Sequence, residues 1–96
     1  PTATTLFFLK NLEPVGLFCY RAVGRGTVEI VADYVVPAWR DRRTDAYLYH
    51  ANEGYLVKQG YHTFVLYTMV PEVQEEMKRV GFKQSEEDPL KLVKVI

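Results

Sequence analysis

The chain has 96 residues, of which 48% are hydrophobic and 25% are charged. This length and composition predict one globular domain with a modest core and exclude a disordered chain. Twelve basic residues balance twelve acidic ones, so no net field favours anionic lipid or nucleic acid, and a nucleic-acid partner is excluded.

Three strands are predicted before residue 37. Residues 5–10, TLFFLK, are rich in aromatic and apolar side chains, which indicates a strand. After a turn at residues 11–14, a second apolar run predicts a strand over residues 15–23. The GRG sequence at 24–26 predicts a tight turn, because glycine accepts positive φ. The second strand and the third, residues 27–36, should therefore form a hairpin.

Alternation along the third strand predicts which side chains share a face. The even-numbered residues from Val28 to Val36 are predicted on one face. The predicted second face consists of Glu29, Val31, Asp33 and Val35. Pro37 should end the strand, because proline cannot donate to a β-ladder.

A first helix is predicted after the loop that follows Pro37. Thr44 or Asp45 should cap it, and Gly60 should stop it near Gln59. Its predicted apolar stripe consists of Leu48, Ala51, Tyr55 and Leu56. Tyr47 and Tyr49 border that stripe.

The rest of the chain predicts a second helix and three strands. The helix should begin at Pro71 and be capped by Gly81. The strands are predicted over residues 62–69, 82–84 and 90–96. Because a helix connects them, the strand over 62–69 should lie parallel to the third strand. The order βββ-α-β-α-ββ predicts an α+β domain whose mixed twisted sheet carries two packed helices.

Cysteine and histidine are too sparse for a disulfide or a metal centre. Cys19 is the only cysteine, and the two histidines lie 12 residues apart without a ligand cluster, so no metal site is expected. No apolar run reaches the roughly 18 residues that span a membrane, and no signal peptide is visible. We expect residues 1–96 to be a single domain cut from a longer chain. Its expected location is the cytoplasm, with the cytosolic side of a membrane-anchored parent as the alternative.

Over about residues 5–96 the chain resembles the GNAT superfamily of acetyl-CoA-dependent N-acyltransferases. The matching pattern is a strand ending EIVADYVVP, an arginine-led loop, a helix, the strand YHTFVLYT and a helix closing in KRVGF. The family's first strand and first two helices have no counterpart in these residues. The resemblance implies a GNAT-like sheet, acetyl-CoA as cofactor and an amine as acceptor. A narrower likeness, carried by DYVVPAWRD, is to GNAT-like domains attached to membrane proteins.

In that family a Q/R-x-x-G-x-G/A loop holds the pyrophosphate of coenzyme A on backbone N–H groups at a helix N-terminus. The corresponding positions here are Arg40, Asp41, Arg42, Arg43, Thr44 and Asp45. Arg43 and Asp45 stand where the two glycines belong. The resemblance therefore implies a degenerate loop that meets phosphate through arginine side chains and not through bare backbone. The alternatives are a solvated basic loop and a helix-capping role for Asp45.

The resemblance also implies contacts along the third strand. The pantetheine arm of the cofactor would pair with main-chain groups of Tyr34, Val35 and Val36. Glu29 occupies the place of a glutamate that serves some members as general base for the amine. The tyrosine and asparagine that many relatives carry on the last helix fall on Met77 and Val70, so these two groups are missing.

Three hypotheses follow. The first is an N-acyltransferase domain that uses acetyl-CoA, with an unidentified small-molecule amine as acceptor. The second is a GNAT-shaped module that binds a ligand or partner without chemistry. The third is a homo-oligomeric interaction module, which the aromatic content of 14% favours. In the third case Trp39, predicted on the loop, would anchor a partner.

Overall fold

The computed structural model describes residues 3–39 and 42–96, and for residues 39 and 42–46 it describes the backbone only. The strands of this part of the chain are β1 (Thr4–Lys10), β2 (Glu13–Gly24), β3 (Thr27–Val35), β4 (Thr63–Tyr67), β5 (Lys83–Gln84) and β6 (Lys91–Val95). The helices are α1 (Arg42–Lys58) and α2 (Pro71–Arg79), and a short 3-10 turn covers Pro37–Trp39. Every predicted element is present, and the order βββ-α-β-α-ββ is confirmed.

The strands form one mixed sheet. Their order across the sheet is β1-β2-β3-β4-β6-β5. β3 and β4 run parallel, as predicted from the helix that joins them, and the other neighbouring pairs are antiparallel. The α+β fold class is therefore confirmed, and α1 is the crossover between the two central strands.

The two tight hairpins at the start of the sheet depend on positive φ angles. Asn11 and Leu12, with φ of 52° and 67°, form a two-residue turn, and Lys10 pairs directly with Glu13. The turn is thus shorter than predicted. Gly26 has a φ of 69°, and a Cβ there would collide with the ring of His62. Glycine at this position serves both the turn and the packing.

Both helices pack on one face of the sheet, which we call the front face. Its buried strand residues, among them Phe18, Ile30, Phe64 and Leu92, form one cluster with Leu56 of α1 and Met77 of α2. The side chains that alternate with them lie on the opposite, back face. Among the described residues, no helix contributes a buried side chain to the back face.

The apolar stripe of α1 differs from the predicted one. Leu56 is buried as expected, but Ala51 and Tyr55 are exposed. Asn52, only 2% exposed, occupies the middle of the buried stripe, one turn after Leu48. A buried polar residue breaks the hydrophobic pattern from which a stripe is predicted. The helix also begins at Arg42, so Thr44 and Asp45 lie inside its first turn and neither is the cap.

The predicted faces of β3 are wrong beyond Ile30 because the strand contains a β-bulge. Tyr20 of β2 lies opposite Ile30, whereas the preceding Cys19 lies opposite Ala32, so Val31 is the extra residue. One extra residue exchanges the two faces for the rest of the strand. Asp33 and Val35 therefore lie on the front face, and Glu29 lies on the back face. The prediction that these three share a face does not hold.

Gly16 is predicted to be needed for the close approach of β2 to β3. A Cβ at this position would collide with the carbonyl oxygen of Tyr34, so Gly16→Ala should lower the free energy of unfolding by about 1–3 kcal/mol. Gly54 of α1 is the matched control, because a Cβ added there would have nothing within 4 Å. Gly54→Ala should raise stability by about 0.8–1.0 kcal/mol through helix propensity. Urea denaturation measures both, and equal effects would contradict the packing argument.

Candidate functional site

The two parallel central strands separate at one end. β3 and β4 pair through three rungs, Thr27 with Thr63, Val28 with Phe64 and Glu29 with Val65. Beyond the third rung β3 continues to Val35 and β4 to Tyr67 without further pairing between them. The bulge at Val31 lies just past the last rung, and a bulge bends its strand. The sheet therefore opens into a wedge at the carboxyl ends of β3 and β4.

A cleft of about 510 Å³ fills this wedge. Its walls come from both strands and both helices. The lining residues are Val31, Ala32, Asp33, Tyr34 and Val35 of β3, Tyr49 of α1, Leu66, Tyr67 and Thr68 at the end of β4, and Val73, Glu76, Met77, Arg79 and Val80 at α2. The volume is in the range that binds small molecules and cofactors.

The predicted phosphate loop adjoins the open end of the wedge in the chain. β3 ends at Val35, and the turn Pro37–Trp39 leads into α1, whose N-terminus carries a partial positive charge. Arg40 and Asp41 lie outside the described residues. Arg42, Arg43, Thr44 and Asp45 belong to the first turn of α1, and their side chains lie outside the description. Their contacts with phosphate stay predictions.

Of the three main-chain positions predicted to contact the pantetheine arm, two belong to residues that line the cleft. Tyr34 and Val35 line the cleft, whereas Val36 is not among the described lining residues. The N–H of Val36 donates to the carbonyl of Val15 at 2.7 Å, so this donor is already used within the sheet. Pairing of β3 with a ligand arm stays a prediction for all three positions.

Glu29 lies on the back face at the closed end of the wedge. Its Oε1 accepts hydrogen bonds from Nε of Arg21 at 3.0 Å and from Nη2 at 2.8 Å. The Glu29 side chain is 18% exposed. Glu29 is thus held in place by a cross-strand ion pair, and it is not among the described residues that line the cleft. Its role as general base stays a prediction.

The sequence analysis missed the contribution of α2 to the cleft. Val73, Met77 and Val80 line it at the spacing of one helix face. That spacing is visible in the sequence, but it shows only which side of the helix is apolar. Met77 is 6% exposed, so the position that carries a tyrosine in many GNAT proteins is a buried apolar part of the wall. Val70, at the asparagine position, is the residue before α2 and is exposed.

A polar cluster joins the helices on either side of the cleft. Lys94 of β6 donates from Nζ to Glu53 Oε2 of α1 and to the carbonyl of Val80, both at 2.6 Å. The same Nζ lies 5.3 Å from the ring centroid of Tyr49. Burial, with added effects from the carboxylates of Glu53 and Asp33, raises the pKa of the Tyr49 hydroxyl above its ordinary value.

Within residues 3–39 and 42–96, no three His, Cys, Asp or Glu side chains come together where they could hold a metal ion. Across the same residues, no helix is both long and apolar enough to cross a membrane. Cys19 is a partly buried free thiol, and Thr5 Oγ1 donates to its sulfur at 3.5 Å.

The fold matches those of several solved acetyltransferases. PaiA N-acetyltransferase from Thermoplasma acidophilum, solved in complex with coenzyme A, matches with a TM-score of 0.83 at 16% identity, over 98% of this chain and 61% of that one. Aminoglycoside 6′-acetyltransferase type Ii matches with a TM-score of 0.77 at 17% identity, over 99% of this chain and 70% of that one. An acetyltransferase of the GNAT family from Staphylococcus aureus Mu50 matches with a TM-score of 0.82 at 12% identity, over 97% of this chain and 67% of that one.

These comparisons establish the fold. No protein-family model matches the chain, and no curated protein matches it in sequence. At identities of 12–17% the structural likeness shows the fold alone, and that fold is the one of the GNAT acetyltransferases. The chain spans 61% of the length of the PaiA structure.

Loss of the Lys94 ammonium should loosen the walls of the cleft. Lys94→Met leaves the mostly buried Glu53 carboxylate unpaired and should lower the free energy of unfolding by about 3 kcal/mol. Adding Glu53→Leu removes the unpaired charge and should recover most of that loss. Lys91→Met, on the back face of the same strand, is the control and should change little. Urea denaturation of these variants tests this, and a double variant no more stable than Lys94→Met would contradict it.

Proposed function

We propose that this chain is a GNAT-like acyl-CoA N-acyltransferase domain that binds acetyl-CoA in the cleft between β3 and β4 and transfers the acyl group to a small-molecule amine. The observation that carries the proposal is the separation of the two parallel strands directly before the N-terminus of α1. A ligand with a long neutral arm and a charged diphosphate fits a wedge of this kind. Ligands of α/β sheets bind outside the carboxyl ends of the strands.

The arm of the ligand would occupy the wedge itself. Val73, Met77 and Val80 give the α2 side of the cleft apolar surface beside Glu76 and Arg79, and residues 31–35 of β3 line the cleft past the last rung with β4. A pantetheine arm combines methylene groups with two amides, so it suits one apolar wall and one wall of peptide groups. Tyr34 and Val35 are the lining positions that we assign to this contact.

The diphosphate would lie against residues 40–45, at the start of α1. In water a carboxylate about 4 Å from one phosphate charge costs roughly 1 kcal/mol, and about 4 kcal/mol at an effective dielectric near 20. Asp45 would therefore oppose binding. Each charge-assisted hydrogen bond from Arg40, Arg42 or Arg43 would contribute about 1.5–3 kcal/mol. Two such bonds, about 3–6 kcal/mol together, exceed the cost in water and are comparable with the larger cost.

Glu29 is the group that we propose as general base. It lies at the third rung between β3 and β4, where the wedge begins, and faces the side of the sheet without a described helix. An amine approaching from the back face would reach the thioester beside this carboxylate. The ion pair with Arg21 fixes the position of Glu29. During proton transfer the hydrogen bonds from Arg21 must weaken, or the proton must go to the other carboxylate oxygen.

A second candidate function is a binding module that keeps the ligand and lacks the chemistry. Two observations favour it. Glu29 already accepts two hydrogen bonds from Arg21, and the buried Met77 supplies no proton for a leaving thiolate. The same chain would then bind acetyl-CoA and release no free thiol from it, which separates this candidate from the first.

Charge changes in the loop test the binding proposal. Arg43→Glu should weaken acetyl-CoA binding at least about tenfold, because a charge-assisted contact is lost. Asp45→Asn should tighten binding about fivefold or more, because it removes a repelling charge. Arg25→Glu, in the exposed turn at the far end of β3, is the control for net charge. Isothermal titration calorimetry measures all three, and binding that responds equally to Arg43→Glu and Arg25→Glu would argue against the loop.

Paired substitutions test the catalytic proposal. Glu29→Gln and Arg21→Gln both remove the ion pair, but only the first removes the carboxylate. Glu29→Gln should lower kcat about 100-fold or more with little change in KM for acetyl-CoA, and Arg21→Gln should keep most of the activity. Thiol release from acetyl-CoA is followed with a polyamine, an aminoglycoside and a lysine peptide as acceptors. Equal loss in both variants would assign Glu29 a structural role.

A further inference from the structure

Tyr49 is a buried tyrosine whose hydroxyl has no described partner. It lies in the second turn of α1 and is 4% exposed. Its ring packs edge-on against Phe82, with centroids 5.9 Å apart. No hydrogen-bond partner for its hydroxyl exists among the described residues. Buried polar groups are almost always hydrogen-bonded, so an unused phenolic donor requires an explanation.

The Glu53 carboxylate interacts with Tyr49 but is committed to another donor. Burial, and after it the interaction with the Glu53 carboxylate, raises the pKa of Tyr49, but no acceptor among the described residues, Glu53 included, meets ordinary hydrogen-bond geometry with the hydroxyl. The Oε2 of Glu53 instead accepts from Lys94 at 2.6 Å. Tyr49 contributes to the wall of the cleft, and its buried hydroxyl keeps a donor that no described acceptor satisfies.

We propose that Tyr49 donates a hydrogen bond to a carbonyl oxygen of the acyl-CoA arm bound in the cleft. The inference rests on the proposed function and adds a residue that positions the ligand. Tyr49 lines the cleft from α1, and Val73, Met77 and Val80 line it from α2. A ligand held between the two would satisfy a donor that the described protein leaves unsatisfied.

The charges around Tyr49 favour a neutral acceptor over a phosphate. The carboxylates of Asp33 and Glu53 both act on the phenol, and the ammonium of Lys94 is already paired with Glu53. The Lys94–Glu53 pair has no net charge and Asp33 is negative, so these groups offer an anionic ligand group no surplus positive charge. A carbonyl oxygen carries no net charge and accepts the bond without needing surplus positive charge.

The same environment makes Tyr49 a positioning residue and not a proton donor in the reaction. A tyrosine hydroxyl is protonated at neutral pH, and burial raises the pKa of Tyr49 further, so it stays a hydrogen-bond donor. A phenol whose pKa is raised gives up its proton less readily to a leaving thiolate. Its effect should therefore appear in ligand affinity.

Tyr49→Phe tests the inference, with Tyr47→Phe as the matched control because Tyr47 lies on the same helix and is 71% exposed. Calorimetry is carried out with acetyl-CoA, coenzyme A and adenosine 3′,5′-bisphosphate. Tyr49→Phe should weaken acetyl-CoA binding about 2- to 12-fold. It should raise the Tm of the unliganded domain by about 4 °C, because an unsatisfied buried hydroxyl is removed. Binding of the bisphosphate, which has no carbonyl, should not change.

The three ligands also identify the carbonyl. Equal weakening for acetyl-CoA and coenzyme A assigns the bond to an amide of the arm, and weakening for acetyl-CoA alone assigns it to the thioester. Unchanged acetyl-CoA binding in Tyr49→Phe would overturn the inference and leave the proposed function standing. A lower Tm in Tyr49→Phe would show a structural partner and also overturn it. If the unmodified domain binds no acetyl-CoA, the proposed function fails first and the inference with it.

Discussion

The one-residue bulge at Val31 is the constraint on which the candidate site depends. Up to Glu29 the two central strands are held together by parallel pairing, and past the bulge they are held only by their outer neighbours and by the helices. The bulge also exchanges the faces of β3, so that Val35 enters the core. A regular strand would extend the ladder toward Tyr67 and leave no wedge.

The sequence contains most of the fold and little of the site. The type and order of the strands and helices follow from apolar runs and from Pro37, Pro71 and the glycines, because these signals act locally. The bulge does not follow, since it depends on how Ile30 and Ala32 align with a neighbouring strand. The cleft is set by that alignment, so its α2 wall and its Tyr49 side become visible only in three dimensions. The buried stripe of α1 could not be predicted from the hydrophobic pattern, because its central residue, Asn52, is polar.

The resemblance to the GNAT fold fixes the architecture, and the chemistry depends on individual side chains. Where many members of that family carry a tyrosine, this chain has a buried methionine, and its glutamate is tied to an arginine. A fold permits many functions, so the residues in the cleft decide which one is kept. Here α2 lines the cleft with valine and methionine and carries no tyrosine.

Lys94 has a consequence for how the molecule responds to a ligand. The ammonium of Lys94, on β6 next to the edge strand β5, donates to the Glu53 carboxylate of α1 and to the carbonyl of Val80 at the end of α2. A ligand that moves the two helices apart must stretch or break these contacts of Lys94. A ligand that fits between the helices without moving them leaves the contacts intact. By thermodynamic linkage, a ligand that separates the helices weakens the Lys94 contacts, and stronger Lys94 contacts favour ligands thin enough to fit without separating them.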